Sequence, residues 1–96
     1  MDYAYRIQQA KQRLPLPKLM ALHGDKWAAF KSAQCPFHDD DNPSFSVWKN
    51  ERGLWFWKCH AGCGHGDEID YLAQKLDEGR GAAIREYLDL AGLWTH

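Results

Sequence analysis

The chain has 96 residues, a formal net charge of -1 and 45% hydrophobic residues, which fits one small domain with a thin apolar core. Its three cysteines cannot all pair, residues 1–6 lack the apolar core of a signal peptide, and no apolar run approaches the roughly 20 residues that span a bilayer. We therefore expect a cytoplasmic protein with reduced thiols and no membrane partner.

The charge is distributed unevenly along the chain. Residues 1–34 carry six Lys/Arg against two Asp/Glu, whereas residues 59–96 carry three Lys/Arg against seven Asp/Glu. A local basic surface is therefore compatible with the nearly neutral total. Binding to a nucleic acid through such a surface would be weak and salt-sensitive, so most of the affinity would come from a partner domain.

The first 34 residues contain two predicted helices. Helical spacing of apolar residues predicts one helix from Tyr3 to Arg13, which two prolines end, and a second from Lys18 to His23, which Gly24 ends. Residues 27–34 are interpreted as a lead-in strand, because the residue before Pro36 favours an extended backbone.

Two turns that contain cysteine predict a metal site. Cys35 and His38 have the two-residue gap that lets both side chains face one ion, and Cys59 and Cys63 follow 20 residues later. Four such ligands make a closed tetrahedral Cys₃His site for one structural Zn²⁺ ion. A closed site has no open position for catalysis.

The fourth ligand stays open at the sequence level, because Cys59 and Cys63 are separated by three residues where two are common. His60 and His65 are the alternatives to Cys63, which is favoured because thiolate is the softer ligand. The acidic run at 39–41 is interpreted as a solvated capping turn rather than as a magnesium site.

Between the two turns, residues 44–48 and 54–58 alternate in polarity and predict two antiparallel strands joined by a hairpin loop at 49–53. Aromatic rings on an exposed sheet beside lysine and arginine can stack on the bases of a single strand and contact its phosphates. The candidate nucleic-acid-binding residues are Trp48, Lys49, Arg52, Trp55, Trp57 and Lys58. Phe45, Phe56 and Tyr71 are assigned to the core.

After a tight glycine-rich passage at 64–66, Asp67 is predicted to cap a helix with an apolar stripe, and a last helix is predicted at about 82–91. The chain is thus predicted to be a monomeric α+β zinc ribbon, an antiparallel hairpin with flanking helices. The single domain 1–96 divides into N-terminal helices and a lead-in strand (1–34), the ribbon (35–66) and C-terminal helices (67–96).

Four short motifs resemble the CHC-type zinc finger of bacterial and phage DNA primases over roughly residues 35–72. They are Cys35-Pro36-Phe37-His38, Asn42-Pro43-Ser44-Phe45-Ser46-Val47, Phe56-Trp57-Lys58-Cys59, and Cys63-Gly64-His65-Gly66-Asp67 followed by Ile69-Asp70-Tyr71-Leu72. One extra residue between Cys59 and Cys63 departs from the family pattern.

The resemblance implies a zinc-binding domain that helps a primase recognise single-stranded DNA template when RNA primers are started in DNA replication. It places the catalytic carboxylates and magnesium in a separate downstream domain, so this chain is expected to carry no polymerising centre. The expected partners are single-stranded DNA and either the primase catalytic domain or a replicative helicase.

A hypothesis of another class remains beside this one. The same zinc fold would be a protein-interaction module that docks a polymerase or helicase through Trp94 and the acidic C-terminal helices, without contacting DNA.

Overall fold

The computed structural model describes residues 3–39 and 42–94, and within them it confirms the predicted α+β class. These ranges contain four α-helices and a three-stranded antiparallel sheet. The helices are α1 (Tyr3–Arg13), α2 (Leu16–Leu22), α3 (Glu68–Lys75) and α4 (Arg80–Leu90), and the strands are β1 (Phe45–Lys49), β2 (Trp55–Cys59) and β3 (Gly64–Gly66). Not one of the helices in these two ranges is long and apolar enough to cross a membrane.

The sheet has the order β1-β2-β3, and its hairpin is the predicted one with both strands displaced by a single residue. Trp48 lies opposite Phe56, and Lys49 lies opposite Trp55. The strand β3 was predicted only as a tight passage. Two of its three residues are glycines with positive φ. Because glycine has no side chain, the sequence here lacks the alternation of polar and apolar residues that would predict a strand.

The predicted lead-in strand at 27–34 is wrong for most of its length. A 3-10 turn covers Lys26–Ala28, and pairing with β1 is limited to a bridge between Ala33 and Phe45 and a hydrogen bond from the Val47 amide to the Phe30 carbonyl. Asp25 immediately precedes this turn, and its buried carboxylate accepts hydrogen bonds from the Tyr71 hydroxyl and from Lys75 Nζ on α3, so the start of the turn is tied to α3.

The predicted start of α3 is correct, whereas the predicted start of α4 is two residues late. The prediction that Asp67 caps α3 is confirmed, because its carboxylate accepts hydrogen bonds from the amides of Ile69 (3.0 Å) and Asp70 (3.2 Å). The Asp70 carboxylate accepts in turn from the Asp67 amide at 3.1 Å, which completes a capping box. α4 begins at Arg80, two residues before the predicted start, so Gly81 lies in its first turn rather than between helices.

The core lies between the inner face of the sheet and the helices, and polar contacts of long sequence separation close it. Phe45 and Tyr71 are fully buried, as predicted. Lys11 Nζ on α1 contacts Glu68 at 2.7 Å and Asp67 at 3.0 Å, so α1 is tied to the start of α3. The Tyr87 hydroxyl donates to the Leu14 carbonyl at 2.7 Å and ties α4 to the end of α1.

The close approach of β3 to the capping box leads to a stability prediction. Gly66 has φ +151°, and a methyl group added to it would overlap the Asp70 side chain. We expect Gly66→Ala to lower the free energy of unfolding of the zinc-loaded protein by about 1–3 kcal/mol, measured by urea denaturation. Gly81→Ala is the matched control, because a methyl group there meets open space and the backbone is helical. Equal stability of the two variants would contradict this account of β3.

Candidate metal centre and nucleic-acid interface

The structure brings the four predicted metal ligands, Cys35, His38, Cys59 and Cys63, to one place. Their ligand atoms all lie within 4.8 Å of one another. Cys35 follows the bridge that joins Ala33 to β1, Cys59 is the last residue of β2, and Cys63 immediately precedes β3. The group therefore sits where the ends of the sheet converge, and it is mostly buried except at His38.

The backbone of both turns is shaped for this convergence. The amide of Phe37 points at Cys35 Sγ at 3.4 Å, which stabilises negative charge on that sulfur. In the second turn, the Gly62 amide donates to the Cys59 carbonyl at 3.1 Å. Gly62 has φ +96°, a conformation that other residues rarely adopt.

The thiols of this group interact too strongly to ionise together on their own. Cys35 Sγ and Cys63 Sγ are 3.1 Å apart. Burial raises the pKa of Cys63 far above its usual range, and the neighbouring Cys59 and Cys35 raise it further. Burial also acts to raise the pKa of Cys59, but hydrogen bonds from Cys63 and from backbone amides outweigh it and lower the value to about 7.

A cation at the centre of the group removes this conflict, because it stabilises every thiolate at once. Three sulfurs and one imidazole nitrogen are a donor set that suits Zn²⁺, which takes four such ligands in a tetrahedron. The residues present therefore fit a zinc ion. With four protein ligands the geometry supports a structural ion rather than one that activates water.

The alternative fourth ligands lie outside the group. The exposed His60 places its Nε2 atom 3.2 Å from Ser46 Oγ. His65 is exposed on β3, opposite Lys58 of β2. Both imidazoles belong to the outer surface of the sheet, whereas Cys63 points into the cluster.

The register of the hairpin decides which aromatic residues reach solvent. Trp48, Phe56 and Lys58 share the outer face of the sheet, and the rings of Trp48 and Phe56 lie 6.3 Å apart. Trp48 is 36% exposed and Lys58 is exposed. We call this surface the open face and define it by Ser46, Trp48, Phe56, Lys58 and His65.

Phe56 was assigned to the core, and the structure corrects that assignment. It is only partly buried, and it lies on the open face beside Trp48. The alternation of the strand already placed Phe56 on the same side as Lys58. That pairing with an exposed lysine was the sequence signal that could have identified it.

Trp57 was expected to contact nucleic acid, and the structure contradicts that expectation. Its side chain is 1% exposed and stacks on Phe45 with ring centroids 5.6 Å apart. Its indole Nε1–H donates to the Asp67 carbonyl at 2.9 Å. The ring is thus part of the core and has no face on which a base can stack.

Three candidate nucleic-acid-binding residues, Lys49, Arg52 and Trp55, do not lie on the open face. Trp55 is half-buried on the inner side, with Lys49 Nζ 5.8 Å from its ring centroid. Arg52 is exposed in the loop. The structure therefore does not gather the six predicted nucleic-acid residues on one surface.

Trp94, which the protein-docking hypothesis requires, is engaged within the chain. It stacks on Tyr3 with centroids 6.0 Å apart and planes 7° from parallel, and Arg85 lies 5.7 Å from its ring centroid. A docking partner would have to displace these contacts.

The sequence matches the family described as CHC2 zinc finger over residues 7–93. It is 31% identical over 84 residues to the DNA primase of Myxococcus xanthus, an alignment that covers 85% of this chain and 13% of that protein. It is 42% identical over 60 residues to the DNA primase of Lactococcus lactis subsp. lactis (strain IL1403), covering 62% of this chain and 9% of that protein. The chain thus spans a small part of the length of these relatives. No solved structure gives a significant match.

The position of Cys63 leads to a prediction about the fourth ligand. We expect Cys63→Ser to lower zinc affinity by more than about tenfold, because the hydroxyl is a harder and less acidic donor than the thiol. Competition with a chromophoric chelator measures the affinity. His60→Ala and His65→Ala are the controls and should retain zinc. Loss of zinc from a histidine variant, with Cys63→Ser unaffected, would assign the fourth ligand to that histidine instead.

Proposed function

The chain belongs to the CHC2 zinc-finger family, and on that premise we propose that it is the zinc-binding module with which a DNA primase recognises single-stranded template. It supports RNA primer synthesis in DNA replication and carries no polymerising centre of its own. The observation that carries this proposal is the open face, where two aromatic rings and a lysine lie on a sheet whose strand ends form the metal site.

In this proposal one structural zinc ion is held by Cys35, His38, Cys59 and Cys63. The ion adds folding free energy to a domain whose core is small, apparent values being about 10 kcal/mol or more in zinc-finger peptides. Because Cys59 ends β2, the ion also fixes that strand in place. The metal thus prepares the open face without taking part in chemistry.

The open face offers the two kinds of contact that a single strand needs. Trp48 and Phe56 present ring surface to which bases can stack. The Lys58 ammonium is exposed beside them, and His65 lies opposite it on β3, so both can face phosphate oxygens. Stacking tolerates any base, so sequence preference would have to come from hydrogen bonds to base edges.

Affinity from this face alone is expected to be low. The chain has a net charge of -1 and the open face has few cations, so the electrostatic contribution is small. We therefore propose that the module acts together with a primase catalytic domain or a replicative helicase. We also propose that it is a monomer and that it acts in the cytoplasm. The DNA primases it resembles are far longer than this chain.

The stacking contribution can be tested on a matched pair of tryptophans. We expect Trp48→Leu to weaken binding of a fluorescently labelled single-stranded oligonucleotide by at least about fivefold, the low end of the roughly 1–3 kcal/mol per stacked base. Trp27→Leu makes the same change at a tryptophan that is 51% exposed outside the sheet, and it should bind like the parent protein. Equal losses in both variants would contradict the assignment to the open face.

The phosphate contact can be tested through salt dependence. We expect Lys58→Gln to reduce the slope of log affinity against log salt concentration by about 0.7, the value for one phosphate contact on a single strand. Lys18→Gln removes an equal charge from the exposed surface of α2 and should leave the slope unchanged. If the zinc-loaded parent protein binds no strand even at low salt, the proposal fails and the protein-docking hypothesis gains support.

A further inference from the structure

We propose that the cleft between α1 and the hairpin tip is a second binding site, which takes one nucleotide unit, a base together with its phosphate. The inference rests on the proposed nucleic-acid function but concerns a different surface from the open face. Adjacent strand residues point to opposite sides of a sheet, so Trp55 faces away from Phe56 and Trp48.

The cleft is large enough for such a ligand. Its volume is about 450 Å³, within the range of roughly 300–1,000 Å³ typical of small-molecule sites. One wall is formed by a single face of α1 together with Pro15, two residues past the end of that helix, and the other wall is the hairpin tip. The lining residues are Gln8, Lys11, Gln12, Pro15, Lys49, Arg52, Gly53, Leu54 and Trp55.

The hairpin tip is held rigidly by one side chain. Asn50 Oδ1 accepts hydrogen bonds from the amides of Arg52 (2.9 Å) and Leu54 (3.0 Å), and the Asn50 amide donates to the Leu54 carbonyl at 2.8 Å. Gly53 turns the chain with φ +82°. The backbone that carries Arg52 is therefore fixed before a ligand arrives, which lowers the entropic cost of binding.

The charges in the cleft favour an anion. Lys11 contacts two carboxylates, those of Asp67 and Glu68, so it adds no net positive charge to the cleft. Lys49 and Arg52 form no ion pair with any residue in the described ranges 3–39 and 42–94, and none of the lining residues is acidic. Two available cations at one end of the cleft provide the chemistry that binds a phosphate group.

The remaining groups favour a flat heteroaromatic ring over a simple anion or an acidic peptide. Trp55 is half-buried and lines the cleft, with the Lys49 ammonium close to its ring. The Lys49 ammonium lies over the indole ring, so a base stacks there once this flexible side chain turns from the ring toward the phosphate. Gln8 and Gln12, one helical turn apart, bring two carboxamides that can donate to and accept from a base edge.

Two sources can supply this nucleotide unit, and they share the same chemistry. It is either a base and phosphate of the single strand that the open face binds, or a free nucleotide. A strand that reached both surfaces would have to pass around the hairpin, because the two surfaces lie on opposite sides of it.

The test uses the zinc-loaded 96-residue chain and follows the Trp55 indole and the Gln8 and Gln12 carboxamide signals by NMR. The probes are adenosine 5′-monophosphate, adenosine, inorganic phosphate, a glutamate oligomer and a short oligodeoxyadenylate. We expect the monophosphate or the oligonucleotide to shift these signals saturably, and adenosine, phosphate and the glutamate oligomer to do so at least about fivefold more weakly. Saturation by the monophosphate identifies a free-nucleotide site, and saturation by the oligonucleotide alone identifies a strand site.

Two exposed-charge variants complete the test without risk to the core. Arg52→Gln should weaken the saturable binding at least about fivefold, whereas Lys26→Gln, on the 3-10 turn outside the cleft, should not. Equal shifts by phosphate or by the glutamate oligomer, or no shift with any probe, would overturn the inference.

The outcome also separates the two proposals. Strand binding that depends on Trp48 with no shift in the cleft leaves the proposed function standing and removes this site. If the signals in the cleft shift but strand binding does not change in the Trp48 and Lys58 variants, the cleft site stands and the proposed role of the open face fails.

Discussion

The convergence of three sulfurs and an imidazole, whose ligand atoms all lie within 4.8 Å of one another, is the constraint to which the rest of the structure is connected. A cation between them would stabilise the thiolates together. Cys59 ends β2, Cys63 precedes β3, and Cys35 follows the bridge to β1, so an ion bound to these ligands would hold all three strands in a single register. A slip of one residue in β2 would exchange Trp57 for Phe56 or Lys58 on the inner face. The metal centre therefore determines which side chains the sheet presents to solvent.

Trp57 links the sheet to the helices. Its ring packs on Phe45 and its indole donates to the carbonyl of Asp67, the residue that caps α3. Asp67 also accepts from Lys11, so α1 is fixed by the same residue. Both walls of the α1–hairpin cleft are thus positioned by contacts that lead back to the metal site. A domain with a small core gains definition in this way from a few polar contacts of long range.

Short-range patterns in the sequence were sufficient for the hairpin, for the Asp67 cap and for the identity of the four clustered side chains. Some of the failures share a cause, which is that contacts distant in sequence decide the local outcome. Tyr71 and Lys75 contact Asp25 across 46 and more residues, just before the 3-10 turn that replaces the start of the strand predicted at 27–34. Alternation showed that Phe56 and Trp57 face opposite ways. The shared face of Phe56 and Lys58 favoured Phe56 as the outer residue, and the packing of Trp57 on Phe45 establishes that Trp57 is the inner one. The cleft combines residues of α1 with the hairpin some 40 positions later, and no local pattern encodes that meeting.

The stacking of Tyr3 on Trp94, with Arg6 Nη1 donating to the Leu93 carbonyl at 3.1 Å, places the first and last described residues side by side. The same arrangement of helices and strands in space is therefore compatible with a different order of these elements along the polypeptide. A circular permutant that joins these two ends through a short linker, and is opened instead in one of the surface loops, would retain every contact of the metal site. Such a topology would also let a fluorophore or a tether be attached at a new terminus chosen for its distance from the open face.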